Sequence, residues 1–256
     1  MVVGAMAASA CRRACARPVA PTGARPARRQ RRLALAAAVA ALAACAAPPP
    51  AFRHEGVMRE VMRGGSTQAR VALAEVARPG MYAVGALAGL DGEFVVDDGA
   101  AWVAVDGPFA VRAPSRAQAT LLTAAVAARF DEVSLPSLCT LLDLENTLAG
   151  LAAARGAPQG PMAFVVEGRG AVQMHVVRGA CPHGEPVPGK EPARVALDDV
   201  PLRAIGFFVD GQEGVVTHMG TALHVHAFAT MPDGSRCLGH VDDVTFAAGA
   251  VLRVGR

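Results

Sequence analysis

A single segment of this chain, Leu138–Ala154, spaces its leucines as a helix of ordinary length requires, at Leu138, Leu141, Leu142, Leu148 and Leu151. Almost everything else after residue 80 is a short β-prone run cut by a glycine, proline or aspartate turn. Met81–Ala88 predicts a strand, Gly89-Leu90-Asp91-Gly92 a tight turn, and Glu93–Asp97 the returning strand of a hairpin. Asp98-Gly99 turns again into Ala101–Asp106. Gly56–Ala77 reads as two short helices around Gly64-Gly65, ending before Arg78-Pro79-Gly80, and Ala119–Ala128 as strand or helix. After the helix, for which Gly156 stands as C-cap, strands are expected at Met162–Glu167, Ala171–Val177, Leu202–Val209, Thr221–Thr230 and Cys237–Phe246. A proline-rich loop at Cys181–Pro192 interrupts them. The expected class is α/β (α+β) and two-lobed: a mixed β-sheet in the N-terminal lobe and a mostly antiparallel β C-terminal lobe carrying a candidate metal site.

Charge is divided unevenly along the chain. Residues 1–44 hold eight arginines and no acidic residue, which leaves 17 basic against 22 acidic side chains in residues 45–256, a net charge of −5. That balance argues against a nucleic-acid surface. With 52% apolar residues the chain is too hydrophobic for a disordered protein, and no apolar run approaches the 18 residues of a multi-spanning membrane protein. Arg28-Arg29-Gln30-Arg31-Arg32 ahead of the apolar Leu33–Ala44 reads as a secretory signal. Leu42-Ala43-Ala44-Cys45 resembles the bacterial lipobox. On that reading residues 1–44 are a lipoprotein-type signal peptide, Cys45 is the lipidated first mature residue, 45–56 are a tether and 57–256 the domain. Plain secretion after cleavage nearby is the alternative. Either way the protein is expected outside the cytoplasm, periplasmic or anchored at the outer membrane, touching lipid only through Cys45. Cys139, Cys181 and Cys237 remain, as one disulfide of open pairing or as buried thiols.

His224-Val225-His226 places two imidazoles on one face of a strand, because strand side chains alternate with period two. A turn follows at Met231-Pro232-Asp233-Gly234-Ser235. Folding the chain symmetrically about Asp233 sets position 226 opposite His240, with Cβ atoms roughly 5 Å apart. Three neutral imidazoles with an open fourth position suit a catalytic Zn²⁺ site. His218 reads as a loop histidine or a neighbour of the ligands, and His54, His175 and His183 have no partner that spacing assigns.

Gly85-Ala86-Leu87-Ala88-Gly89-Leu90-Asp91-Gly92-Glu93, followed by Val95-Val96-Asp97-Asp98-Gly99, resembles the "GTxxxLDGExxxxDG" segment of bacterial alpha-acetolactate decarboxylases. Ser66-Thr67 and Arg78-Pro79-Gly80-Met81-Tyr82 fit the family's approach to that hairpin. Ile205-Gly206-Phe207-Phe208, His224-Val225-His226 and Gly239-His240-Val241 are similar to its "GFY…HxH…GH" zinc segment. The resemblance runs in one order through roughly Val57–Arg256. It implies an acetolactate decarboxylase-like domain: a carboxy-lyase holding Zn²⁺ on His224, His226 and His240 and converting the small molecule 2-acetolactate to acetoin, a step of the acetoin and butanediol pathway. It further implies that Glu93 serves proton transfer or contacts the metal, and that Arg178 holds the substrate carboxylate if its strand runs one or two residues longer than in the family. A homodimer is a compatible assembly.

The chain also departs from the family. Ala86 stands where the family has threonine, the loop between His226 and His240 is longer, and the glutamate of the family's tail has no counterpart up to Arg256. A catalytically altered or inactive zinc-binding relative is therefore the alternative reading. Other three-histidine metalloenzymes compete less well. A cupin would carry glutamate where Thr230 stands, and the aromatic residues usual beside a carbonic anhydrase site are reduced to Trp102 and Tyr82, both distant in sequence. A surface lipoprotein that binds metal without catalysis would need the three histidines but neither Glu93 nor Arg178. Asp242 and Asp243 are rival acids, with Asp242 on the face of His240.

Overall fold

Turn residues divide the chain into fifteen strands among the residues that the computed structural model describes, which are 52–63, 65–155, 161–179 and 188–256. The leader with Cys45, the proposed cap Gly156, Cys181 and His183 lie outside the described residues. The first half of the chain contributes β1 (Phe52–Glu55), helix α1 (Met58–Met62), β2 (Val71–Ala72), β3 (Met81–Ala86), β4 (Glu93–Asp97), β5 (Ala100–Ala104), β6 (Val111–Arg112), β7 (Gln118–Ala119) and β8 (Leu122–Val126). The second half contributes β9 (Phe130–Ser134), β10 (Cys139–Thr140), helix α2 (Leu141–Ala154), β11 (Met162–Val176), β12 (Ala193–Phe208), β13 (Leu223–Thr230), β14 (Arg236–Phe246) and β15 (Val251–Gly255).

Six strands form an N-terminal sheet in the order β1-β8-β3-β4-β5-β6, and seven form a C-terminal sheet in the order β10-β14-β13-β12-β11-β15-β9. Of the two classes left open by the sequence, the protein is α+β. The N-terminal sheet, expected to be mixed, is antiparallel at every pairing. β3, β4, β5 and β6 follow one another through short connections, which allow only antiparallel neighbours, while β8 joins from further along the chain to pair with β1 and β3. Phe52–Glu55, assigned to the tether by sequence, pair with β8 as an edge strand. The second short helix expected before Arg78 is a single 3₁₀ turn, Leu73–Glu75, following the two-residue β2.

The C-terminal sheet curls on itself. β14 pairs with β13 through His226↔His240 and also with the second half of β11, so β11 to β14 close into a barrel-like ring. Alternation along the strands then serves two cores. Phe164, Val166, Leu202, Ala204, Val225 and Ala227 face α2, whereas Val165, Ile205, Phe207, Phe228 and Leu238 pack against Tyr82, Val84 and Val95 of the N-terminal sheet. The two lobes of the expectation are thus two sheets meeting across a shared apolar layer.

Helix α2 starts later than its leucines suggest. Thr140 caps it, its Oγ1 accepting from the Asp143 N–H at 3.2 Å while the Asp143 carboxylate accepts the Thr140 N–H at 3.0 Å. With the start fixed there, Leu144, Leu148 and Ala152 point inward. Leu138 falls before the helix and Leu142 on its outer face, 65% and 66% exposed. Cys139 and Cys237 are buried free thiols.

Candidate metal centre and the buried carboxyl

His224, His226 and Phe228 share the face of β13 that looks toward the N-terminal sheet, and Leu238 and His240 share the matching face of β14. The register sets His226 directly opposite His240, as the turn about Asp233 requires. One ring nitrogen from each of His224, His226 and His240 lies within 4.8 Å of the other two. The Nε2 atoms of His224 and His226 are 3.3 Å apart. Two nitrogens held about 2.0–2.1 Å from one tetrahedral ion would stand roughly 3.3–3.4 Å from each other, so the pair already has the spacing of ligands.

The electrostatics agree with that use. Burial, followed by the neighbouring imidazoles, pushes His224 and His240 well below the ordinary histidine range, and burial pushes His226 down to about 3. The three rings are therefore uncharged at neutral pH, the form that binds a metal. The Nδ1 atoms of His224 and His226 are buried without a hydrogen-bond partner among the described residues. The converging nitrogens are the Nε2 atoms on the other edge of these rings, and the set of three neutral imidazoles fits Zn²⁺.

Glu93 enters from the other sheet. It is the first residue of β4, placed by Gly92, whose φ of 142° and whose position, where a Cβ would collide with the Ala104 carbonyl, exclude a side chain. Its carboxyl is 3.8 Å from His226 Nε2. Burial raises its pKa well above the ordinary carboxylate value, and a hydrogen bond from the Val177 backbone opposes the rise only in part. Ala86 stands opposite Glu93 in the β3–β4 register, and both line a small chamber of about 10 Å³ with the three histidines, room for about one water or ion.

The chamber abuts an open cleft of about 400 Å³ between α2 and β13, walled by Leu141, Leu223, Val225 and Glu145. His175, His218 and His240 line both cavities. His175 was not assigned to the site by sequence, and His218, read as a loop histidine or a neighbour of the ligands, is both. His175 pairs with His240 across β11 and β14, and the His218 ring centroid is 4.7 Å from that of His240. Only the closure of the ring of strands reveals the first, and only the loop path fixes the place of the second. Asp242 does share the neighbourhood of His240, but its carboxylate is bound to His175 and Arg194. Asp243 lines a separate cavity. Arg178 follows the end of β11, one residue past Val177, and the next residue, Gly179, donates its N–H to the Leu90 carbonyl at 2.6 Å. The structure thus runs the Arg178 segment beside the turn that carries Glu93, while Arg178 itself lines neither cavity.

No protein-family profile matches this chain, and no curated protein sequence does. Solved structures do. The alpha-acetolactate decarboxylase of Bacillus subtilis strain 168 matches at TM-score 0.64 and 17% identity, covering 80% of this chain and 84% of that one. The acetolactate decarboxylase of Bacillus subtilis subspecies spizizenii matches at 0.63 and 16%, with 80% and 85% covered. A Staphylococcus aureus protein of unknown function, described as similar to alpha-acetolactate decarboxylase, matches at 0.61 and 15%, with 79% and 84% covered. At such identities it is the architecture that is shared, and the chain has the fold of the alpha-acetolactate decarboxylases.

Proposed function

We propose that this protein decarboxylates 2-acetolactate to acetoin with a zinc ion held by His224, His226 and His240. The observation that supports this reading most directly is the meeting of one fully buried carboxyl, Glu93, with three converging uncharged imidazoles on that fold. 2-Acetolactate is a β-keto acid with a tertiary hydroxyl, and departure of carbon dioxide leaves an electron pair that must be stabilised and then protonated. When bound, zinc supplies the Lewis acidity that such developing negative charge requires.

The chain's residues supply the rest. Burial favours the protonated form of the Glu93 carboxyl, which is placed to deliver a proton to the carbon that carbon dioxide has left. The chamber beside Glu93 has room for about one water, which keeps bulk solvent at a distance from this transfer. The Arg178 guanidinium, carried on the segment beside the Glu93 turn, matches the substrate carboxylate in charge and in its forked donor geometry. The test is direct. Zinc-loaded full-length protein should convert 2-acetolactate to acetoin and carbon dioxide in equal amounts. Protein that holds stoichiometric zinc and leaves 2-acetolactate unchanged would overturn this reading.

The leader supports a separate proposal, export and lipidation at Cys45. Cys45→Ala should release the protein from the membrane fraction or block its processing. Soluble wild-type protein that begins beyond Cys45 would point to plain secretion.

A further inference from the structure

The site holds a histidine whose ring is fixed at one nitrogen and unspent at the other. His175 lies on β11 opposite His240, with ring centroids 5.1 Å apart. β14 comes this close because residue 239 is glycine; a Cβ there would stand 2.7 Å from the His175 carbonyl. Next to this contact the register of β14 slips. Val241 pairs with Met174 and Asp243 with Gln173, which leaves Asp242 as the extra residue of a bulge. The Asp242 carboxylate lies 2.7 Å from His175 Nδ1 and accepts from Arg194 Nη1 at 2.8 Å. A carboxylate in that position has no hydrogen to give, so the hydrogen between it and the ring belongs to His175 Nδ1. The other nitrogen, Nε2, has no hydrogen-bond partner among the described residues. The side chain is 12% exposed, at the boundary between the open cleft and the chamber that contains Glu93.

We propose that His175, oriented by Asp242, is a substrate-binding residue whose Nε2 accepts a hydrogen bond from the hydroxyl of a 2-hydroxy-3-oxo acid. This rests on the decarboxylase reading of the site and adds the group that recognises the hydroxyl. The assignment follows from donor and acceptor count. In its uncharged form a ring that donates from Nδ1 offers a lone pair at Nε2. Of the substrate's carboxylate, ketone and hydroxyl, only the hydroxyl has a hydrogen to donate; the other two would present lone pairs to a lone pair. The contact therefore selects for acids bearing the 2-hydroxyl over analogues without it, and for one placement of that hydroxyl beside the histidines.

Two substitutions separate the ring's two ends. In His175→Asn the amide N–H can keep the bond to Asp242 while the far nitrogen is gone. In His175→Gln the amide reaches the position of Nε2. Calorimetric binding to the zinc-loaded full-length protein should compare 2,3-dihydroxy-2-methylbutanoate, which cannot decarboxylate, with 3-hydroxy-2-methylbutanoate, which lacks the 2-hydroxyl. Wild type should prefer the first, and His175→Asn should lower that preference about 10- to 100-fold, the effect of one lost polar contact in a partly open site. Zinc content should stay unchanged, and His175→Gln should recover part of the preference. Should His175→Asn keep the wild-type preference, or lose it only together with zinc, the inference is overturned. A wild type that binds with this His175-dependent preference yet makes no acetoin would overturn the decarboxylase reading while keeping the hydroxyl contact.

Discussion

Strand β4 carries a carboxyl at each end of one face, and the two have opposite surroundings. Asp97 meets Arg203 of β12 through two hydrogen bonds of 2.7 Å each. Arg203 also binds Glu167, which in turn binds Arg253, so charge is balanced across both sheets. Glu93, roughly 13 Å further along the same face, is buried, and among the described residues its only ion-pair neighbour is His226, a ring that burial keeps neutral. Two carboxyls with the same strand geometry thus differ in whether a fixed cation is present. The one given an arginine fastens sheet to sheet. The one denied a cation stays protonated or turns to a metal, which is the condition for chemistry.

The largest effect is expected from removing what faces Glu93. His226→Ala should reduce zinc, measured by elemental analysis after dialysis, to background, whereas Asp97→Asn should leave it at wild-type level; equal zinc loss in both would erase the distinction. Next comes rate. Glu93→Gln should lower acetoin formation by about 10²–10⁴-fold with zinc retained, and Asp97→Asn should change it by less than about 3-fold, since its partner is structural.

Stability should show the reverse order. Arg203→Ala leaves Asp97 without its cation, while Glu167 keeps Arg253, and should lower unfolding free energy by roughly 2–3 kcal/mol in urea titration. That lies below the full penalty for a deeply buried pair, because both partners keep some solvent contact. Glu93→Gln should change stability by less than about 1 kcal/mol at neutral pH, since it replaces an unpaired acid with an amide of similar shape.

The smallest effect is a slope with pH in chelator-treated protein. The folded pKa of Glu93 is raised, so its stabilising contribution is complete below its unfolded value, about 4.3, and fades as pH rises through the folded value. The folded pKa values of His224, His226 and His240 are lowered, so theirs is complete above about 6.5 and fades as pH falls toward the folded values, about 3 for His226. The decline that Glu93 contributes as pH rises toward its folded value should be at most about 1.4 kcal/mol per pH unit. Glu93→Gln should flatten it; an unchanged slope would place its origin elsewhere.

The hairpin carrying Glu93 was legible because glycine and aspartate turns bracket it, and Glu93–Asp97 is a strand with those bounds. The pairing of His226 with His240 was legible because a short turn fixes register by symmetry. β9 and β15 were not. Each mixes apolar residues with Asp131, Glu132 or Arg253, and they pair with each other across more than a hundred residues, which leaves no local signal. The first half of β12 was missed for a similar reason: Ala193–Val200 is largely exposed and gains its strand form from β11. His175 was beyond reach because its place depends on which strands close the ring, and a lone histidine carries no such information.

That ring has a consequence in time. β13 and β14 are neighbours in sequence, so their hairpin can gather His226 and His240 through local contacts before distant strands pair. β11 is fifteen residues long and must satisfy β15 with its first half and β14 with its second, and Glu93 arrives only when the opposite sheet docks. The non-local steps are the slow ones. An ion captured by the hairpin would act as a nucleus that the later-arriving carboxyl completes, so metal uptake and the final docking of the two sheets become coupled parts of one maturation step.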